Sequence, residues 1–122
     1  MRQVGPVPEI FGAPGTIAKG ARAIERYARR RGVDLTAHDS SGLSYSNRVS
    51  PSGIVKLLGQ VETAEPFYEV LRDGLPRGGQ GTLEGRLVGV QVRAKTGTLI
   101  DISALSGWVW LEQIGRASCR DR

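Results

Sequence analysis

Lys95-Thr96-Gly97 closes a run in which apolar residues alternate (Val88, Val90, Val92, Ala94), and a second apolar segment follows at once. Lysine brings a fixed positive charge. Threonine brings a hydroxyl that can hydrogen-bond a carboxylate, and a bond to an ionised partner is the stronger kind. Glycine has no Cβ, so Gly97 lets a ligand backbone lie close against the strand. The plain reading of Lys95 is a surface lysine that covers its neighbours with its stem.

The second informative stretch is Asp39-Ser40-Ser41-Gly42-Leu43-Ser44-Tyr45-Ser46-Asn47-Arg48-Val49-Ser50-Pro51. At this order and spacing the two stretches resemble the C-terminal part of a D-alanyl-D-alanine carboxypeptidase/endopeptidase of the penicillin-binding protein 4 type, peptidase family S13. Lys-Thr-Gly is one of three motifs that build the site of penicillin-binding proteins and serine β-lactamases. The resemblance runs from about Met1 to about Glu112. Met1-Arg2-Gln3-Val4-Gly5 resembles the end of the family helix that begins at a Ser-x-Asn motif. Gly15-Thr16 resembles the opening of the next helix, and Ser103 to Val109 the strand after the Lys-Thr-Gly turn. Ser40 stands where the family usually carries glycine, and Tyr45 where many members carry arginine.

The resemblance implies a fold and a chemistry. The fold is α/β (α+β), the C-terminal part of the serine β-lactamase/transpeptidase-like architecture, with helices followed by an antiparallel strand pair. The activity is serine-type cleavage of D-Ala-D-Ala in peptidoglycan stem peptides through an acyl-enzyme, outside the bacterial cytoplasm. It needs no cofactor, and the complete enzyme should react with β-lactams. Lys95, Thr96, Gly97 and Thr98 are the implied catalytic segment, with the Thr98 N–H as half of an oxyanion hole. Leu43, Ser44 and Tyr45 would border the substrate side-chain pocket, and Leu99 would add an apolar wall. Tyrosine at 45 offers one hydroxyl where arginine could grip a carboxylate. The plain reading of residues 39–47 is a Ser/Gly-rich turn that caps the next element.

Two motifs of the class are missing. The three lysines are preceded at three positions by Thr16, Gly53 and Val92, so no Ser-x-x-Lys is present. The one asparagine, Asn47, has Tyr45 two positions before it, so Ser-x-Asn is absent as well. At 122 residues, with 39% hydrophobic content and 17 glycines, the chain reads as a fragment that should be inactive alone. The alternatives are a serine β-lactamase fragment, which the Ser-Gly-Leu-Ser loop argues against, and a non-catalytic peptidoglycan-binding module.

Composition narrows the other classes. No apolar run approaches the roughly 18 residues of a membrane span, and no signal peptide is visible after Met1. Residues 113–122 resemble a read-through translation and read as a non-native tail, domain-like sequence being confined to 1–112. That tail accounts for +2 of the formal charge of +5 and holds the one cysteine, Cys119. Arg29-Arg30-Arg31 falls at a helix end, where cations complement the dipole. Without the aromatic and glycine pattern of an RNA-binding module, it is not read as a nucleic-acid patch. One histidine and scattered carboxylates make no metal site. His38, Asp39 and Ser41 are sequence neighbours, which cannot generally form a catalytic triad. Gly78-Gly79-Gln80-Gly81-Thr82 lacks the Gly-Lys-Ser/Thr ending of a phosphate loop.

The elements that must position these residues follow from periodicity. Thr16 to Arg31 reads as a helix with Ile17, Ala21, Ile24 and Ala28 on one face, stopped by Gly32. Val33 to Leu35 is a short apolar bridge or strand into a loop over 38–50. Ser50-Pro51 opens a helix that buries Ile54, Leu57, Leu58 and Val61. Thr63 to Leu71 reads as another helix, burying Phe67, Val70 and Leu71. A loop over 74–81 and a helical turn over 82–87 precede a strand from Val88 to Ala94. Ile102 to Leu111, apolar on both faces, suits an interior strand.

Overall fold

The computed structural model describes residues 12–111 and 120–121. The expected helix end at Met1 to Gly5 and most of the tail over 113–122 lie outside them. The chain forms two compact units, Met1–Gly53 and Ile54–Arg122. The described residues form three helices and two small antiparallel sheets, a mixed α/β structure.

In the first unit, Thr16 caps helix α1 (Ile17–Arg30), its side chain accepting the Lys19 N–H at 3.1 Å. Ala21 and Ala28 of the expected face are buried, but Ile17, in the first turn, is 70% exposed. Gly32 ends the helix in the left-handed region, φ 73°, where a residue without Cβ fits best. Strand β1 (Leu35–Thr36) pairs antiparallel with β2 (Arg48–Val49) and so closes the intervening loop. The apolar bridge is thus half of a two-stranded ladder whose partner the Ser/Gly-rich composition hid. Helix α2 (Pro51–Ala64) starts where Ser50-Pro51 put it, the Ser50 hydroxyl accepting the Gly53 N–H at 3.0 Å.

In the second unit α2 runs to Ala64, and helix α3 occupies Tyr68–Gly74 rather than 63–71. Pro66 explains the shift. It has no N–H to donate and disfavours helical backbone at Glu65, so one helix stops and the next restarts beyond it. The restart also changes the buried face. Phe67, Val70 and Leu71 are exposed, while Tyr68 packs edge-on against Trp108 with ring centroids 5.2 Å apart. The expected turn over 82–87 is a 3₁₀ turn at Gly81–Leu83, which buries Leu83 completely.

Strand β3 spans Val92–Leu99 and β4 spans Ile102–Trp110, joined by the two-residue turn Ile100-Asp101. β3 begins four residues later than the alternation suggests. Leu87 (φ 53°) and Gly89 (φ 78°) are in the left-handed region, so Val88 and Val90 lie in a turn. Residues Arg120–Asp121 form β5 and pair with Trp110 and Val109, giving the order β3-β4-β5. The interior strand expected over 102–111 does not result: Ile102 to Leu105 are exposed, and only Trp108 of β4 is buried. Leu83, Val92 and Ala94 form the core on one face, with Val109 packed against them. On the other, Trp108 is 1% exposed. Arg93 donates to the Asp73 and Leu75 carbonyls at 2.9 and 3.1 Å, tying the end of α3 to the strand that carries the motif.

Candidate active site

Lys95, Thr96, Gly97, Thr98 and Leu99 are the second half of β3, and all lie in register with β4: Lys95 opposite Ser106, Gly97 opposite Ala104, Leu99 opposite Ile102. The other edge of β3 meets only the Arg77–Arg93 bridge and the bond from the Ala94 N–H to the Pro76 carbonyl, 3.2 Å. Beyond Ala94 no strand among the described residues pairs with that edge. Backbone groups alternate sides along a strand. Since the Ala94 N–H faces this outer edge, the N–H and C=O of Thr96 and Thr98 face it too. The Lys95 ammonium donates to the Thr96 carbonyl at 2.6 Å. The cation is therefore held at the same open edge as the two N–H donors.

Gly97 does not serve the fold. A Cβ there would meet the Ala104 Cβ at 3.6 Å, an ordinary contact, and its φ is not left-handed. Gly107, opposite Ala94, differs: its added Cβ would stand 2.6 Å from the Ala94 Cα. Gly78 is also structural, since a Cβ would stand 2.9 Å from the Val90 carbonyl oxygen. The Gly79 and Gln80 N–H groups donate to the Arg86 and Arg77 carbonyls, so this loop does not offer them to a phosphate.

Leu43, Ser44 and Tyr45 sit together on the loop of the first unit, with Leu43 65% and Tyr45 49% exposed. Residues around Ala37 anchor the loop's start. The Glu25 carboxylate accepts the Ala37 N–H at 3.0 Å, and Arg22 donates to the Ala37 carbonyl at 2.9 Å. In the sequence Asp39 stands out as the opening of the Ser/Gly-rich stretch and as a neighbour of His38 and Ser41, with no role of its own. In the structure its carboxylate is the hub of the loop. It accepts from the Ser41 hydroxyl (2.7 Å), the Ser44 N–H (3.0 Å), the Leu43 N–H (3.2 Å) and the Asn47 amide (2.8 Å). An aspartate opening a Ser/Gly-rich turn is the signal that could have found it. Asn47 in turn accepts the His38 N–H at 2.8 Å.

The bond from Asn47, and next that from Ser41, hold the Asp39 carboxyl down at about 2 from an ordinary 3.8. A pKa lowered by folding stabilises the loop above the ordinary value, and that contribution is lost as pH falls through about 2. In the 122-residue chain, the Leu43 and Ser44 amide resonances are expected to hold from neutral pH to about 4 and to shift with a midpoint near 2. A midpoint near 4 would show that the carboxylate gains nothing from these donors. In the second unit, Arg72 grips Asp73 and holds its carboxyl below the usual range. Among the described residues no group of three or more His, Cys, Asp or Glu could hold a metal ion.

The model of the D-Ala-D-Ala carboxypeptidase 3 (S13) family matches residues 3–118. The chain belongs to that family. A D-alanyl-D-alanine carboxypeptidase of an Actinomadura species is 40% identical over 114 residues, covering 83% of this chain and 21% of the relative. Carboxypeptidase DacB of Mycolicibacterium smegmatis is 33% identical over 116 residues, covering 84% of this chain and 25% of the relative. This family segment thus spans about a fifth to a quarter of the length of these relatives. No solved structure matches it. No helix among the described residues is long and apolar enough to cross a membrane.

Proposed function

We propose that this chain supplies the Lys-Thr-Gly strand and a substrate-side loop of a serine-type D-Ala-D-Ala carboxypeptidase/endopeptidase. The enzyme acts on peptidoglycan stem peptides outside the cytoplasm. The observation that carries the reading is the outer edge of β3, unpaired beyond Ala94 among the described residues, where the Lys95 ammonium and the Thr96 and Thr98 N–H groups come together. An extended peptide adds to such an edge by main-chain hydrogen bonds, and a terminal carboxylate is attracted to the ammonium. The hairpin is read as the strand pair of a β-lactamase/transpeptidase-like fold. Residues 1–112 are its share of the family domain, and 113–122 are read as a non-native tail.

In this reading a serine outside this chain attacks the carbonyl of the penultimate D-Ala. The Thr98 N–H, with the serine's own N–H, holds the oxyanion. The C–N bond breaks, the terminal D-Ala leaves with a proton on its nitrogen, and water then hydrolyses the ester. Lys95 and the Thr96 hydroxyl hold the terminal carboxylate. Leu43, Ser44, Tyr45 and Leu99 contact the stem peptide, and a β-lactam would acylate the same serine.

The test places residues 3–112 in the matching segment of the Actinomadura carboxypeptidase and measures D-Ala release from a stem peptide. Release by the chimaera and none by the chain alone is the expected result. Binding of stem peptide by a folded chimaera without release would favour a binding module. Gly97→Ala is the sharper variant. Its melting temperature should match the parent within about 2 °C, while kcat/KM falls roughly tenfold or more because a methyl group enters the substrate's approach. Unchanged kcat/KM would remove the edge of β3 from the site.

A further inference from the structure

The nine residues Asp39 to Asn47 include no buried side chain. Their shape therefore rests on hydrogen bonds, and four of these converge on one carboxylate. Drawing the Leu43 and Ser44 N–H groups inward to Asp39 leaves the Leu43 and Tyr45 side chains exposed. Gly42, with φ 80°, makes the bend that allows it. The Ser44 hydroxyl extends the pattern by accepting the Ser46 N–H at 3.2 Å.

We propose that Asp39 is a positioning residue for substrate specificity, its carboxylate fixing the Leu43–Tyr45 segment in the conformation that meets the stem-peptide side chain. This rests on the functional reading above, in which that segment contacts substrate. Asp39 itself touches no substrate.

The network also dictates which substitution breaks it and which repairs it. The His38 N–H fixes the Asn47 oxygen as its acceptor, so the Asn47 NH₂ must face Asp39. The other Asp39 oxygen faces the Leu43 and Ser44 N–H donors. Position 39 must accept on both sides. Asparagine there always turns one NH₂ toward a donor, and flipping it only moves the conflict to the other side. Adding Asn47→Asp resolves the conflict. In that double variant the asparagine introduced by D39N would accept from the two backbone N–H groups and donate to the new carboxylate, which still accepts the His38 N–H.

The experiment compares D39N and D39N/N47D in the chimaera that carries this chain. It uses two substrates: a full stem peptide and a truncated acyl-D-Ala-D-Ala without the side chain. D39N is expected to lower kcat/KM for the stem peptide about tenfold, mainly through KM, since hydrogen bonds to a charged group hold the loop. For the truncated substrate it should change less than about twofold. The double variant should recover most of the loss. Equal losses on both substrates, no loss on either, or no recovery in the double variant would overturn the positioning role. Release of D-Ala by the unsubstituted chimaera keeps such a result separate from failure of the functional reading. No release at all would sink that reading, and this proposal with it.

Discussion

Replacing Lys95 with alanine in the active chimaera is expected to reduce kcat/KM for D-Ala release by roughly a hundred- to a thousandfold. That is the scale on which a single preorganised electrostatic group acts in such sites. Stability should change by less than about 0.5 kcal/mol, as for other surface substitutions. The reason lies in where the ammonium sits. Lys95 is exposed, and its side chain reaches the carbonyl of the very next residue rather than another element. The fold gains little from it, while the open edge of β3 loses its positive charge. Steady-state kinetics and thermal unfolding of one preparation check both halves. A loss of less than about threefold, or a melting temperature lowered as far as activity, would contradict the assignment.

Gly107→Ala is expected to do the reverse, removing activity by removing the fold. The added Cβ would stand 2.6 Å from the Ala94 Cα and 2.8 Å from the Ala94 Cβ, and would strike the Arg93 carbonyl. Two of these are backbone atoms of the neighbouring strand, so no side-chain rotation relieves the contact. The strands must part where Ala94 enters the core beside Leu83 and Val92. The next residue of β3 is Lys95, paired with Ser106, so the site would lose its register as well. A cost of about 3 kcal/mol or more is expected, the upper range for overpacking. Denaturant unfolding measures it, with Ser106→Ala as a control expected within about 1 kcal/mol of the parent. An unchanged midpoint for Gly107→Ala would contradict the close strand approach.

The two glycines illustrate what was legible in the sequence. Gly97 could be singled out because Lys-Thr-Gly is a motif. Nothing local distinguished Gly107 from the other glycines, because its constraint comes from Ala94, its partner in register on the neighbouring strand. The helix starts at Thr16 and Ser50-Pro51 were readable, since capping is local chemistry. The boundary at Tyr68 is hidden because Phe67, Val70 and Leu71 keep a helical apolar spacing on into the segment beyond Pro66, where the helix in fact restarts. The start of β3 was misread because Val88 and Val90 alternate like strand residues, while Leu87 and Gly89 impose a turn. The site showed the same division. The residues of β3 suggest by type the chemistry proposed for them, whereas the role proposed for Asp39 depends on four donors folded back upon it.

The most direct test of the account is a crystal structure of the chimaera acylated by a β-lactam. The acyl carbonyl oxygen is expected about 2.7–3.1 Å from the Thr98 nitrogen. The β-lactam carboxylate should lie against Lys95 and Thr96, with the adduct along the outer edge of β3. An acyl group elsewhere, with the Thr98 N–H bonded to protein, would contradict it.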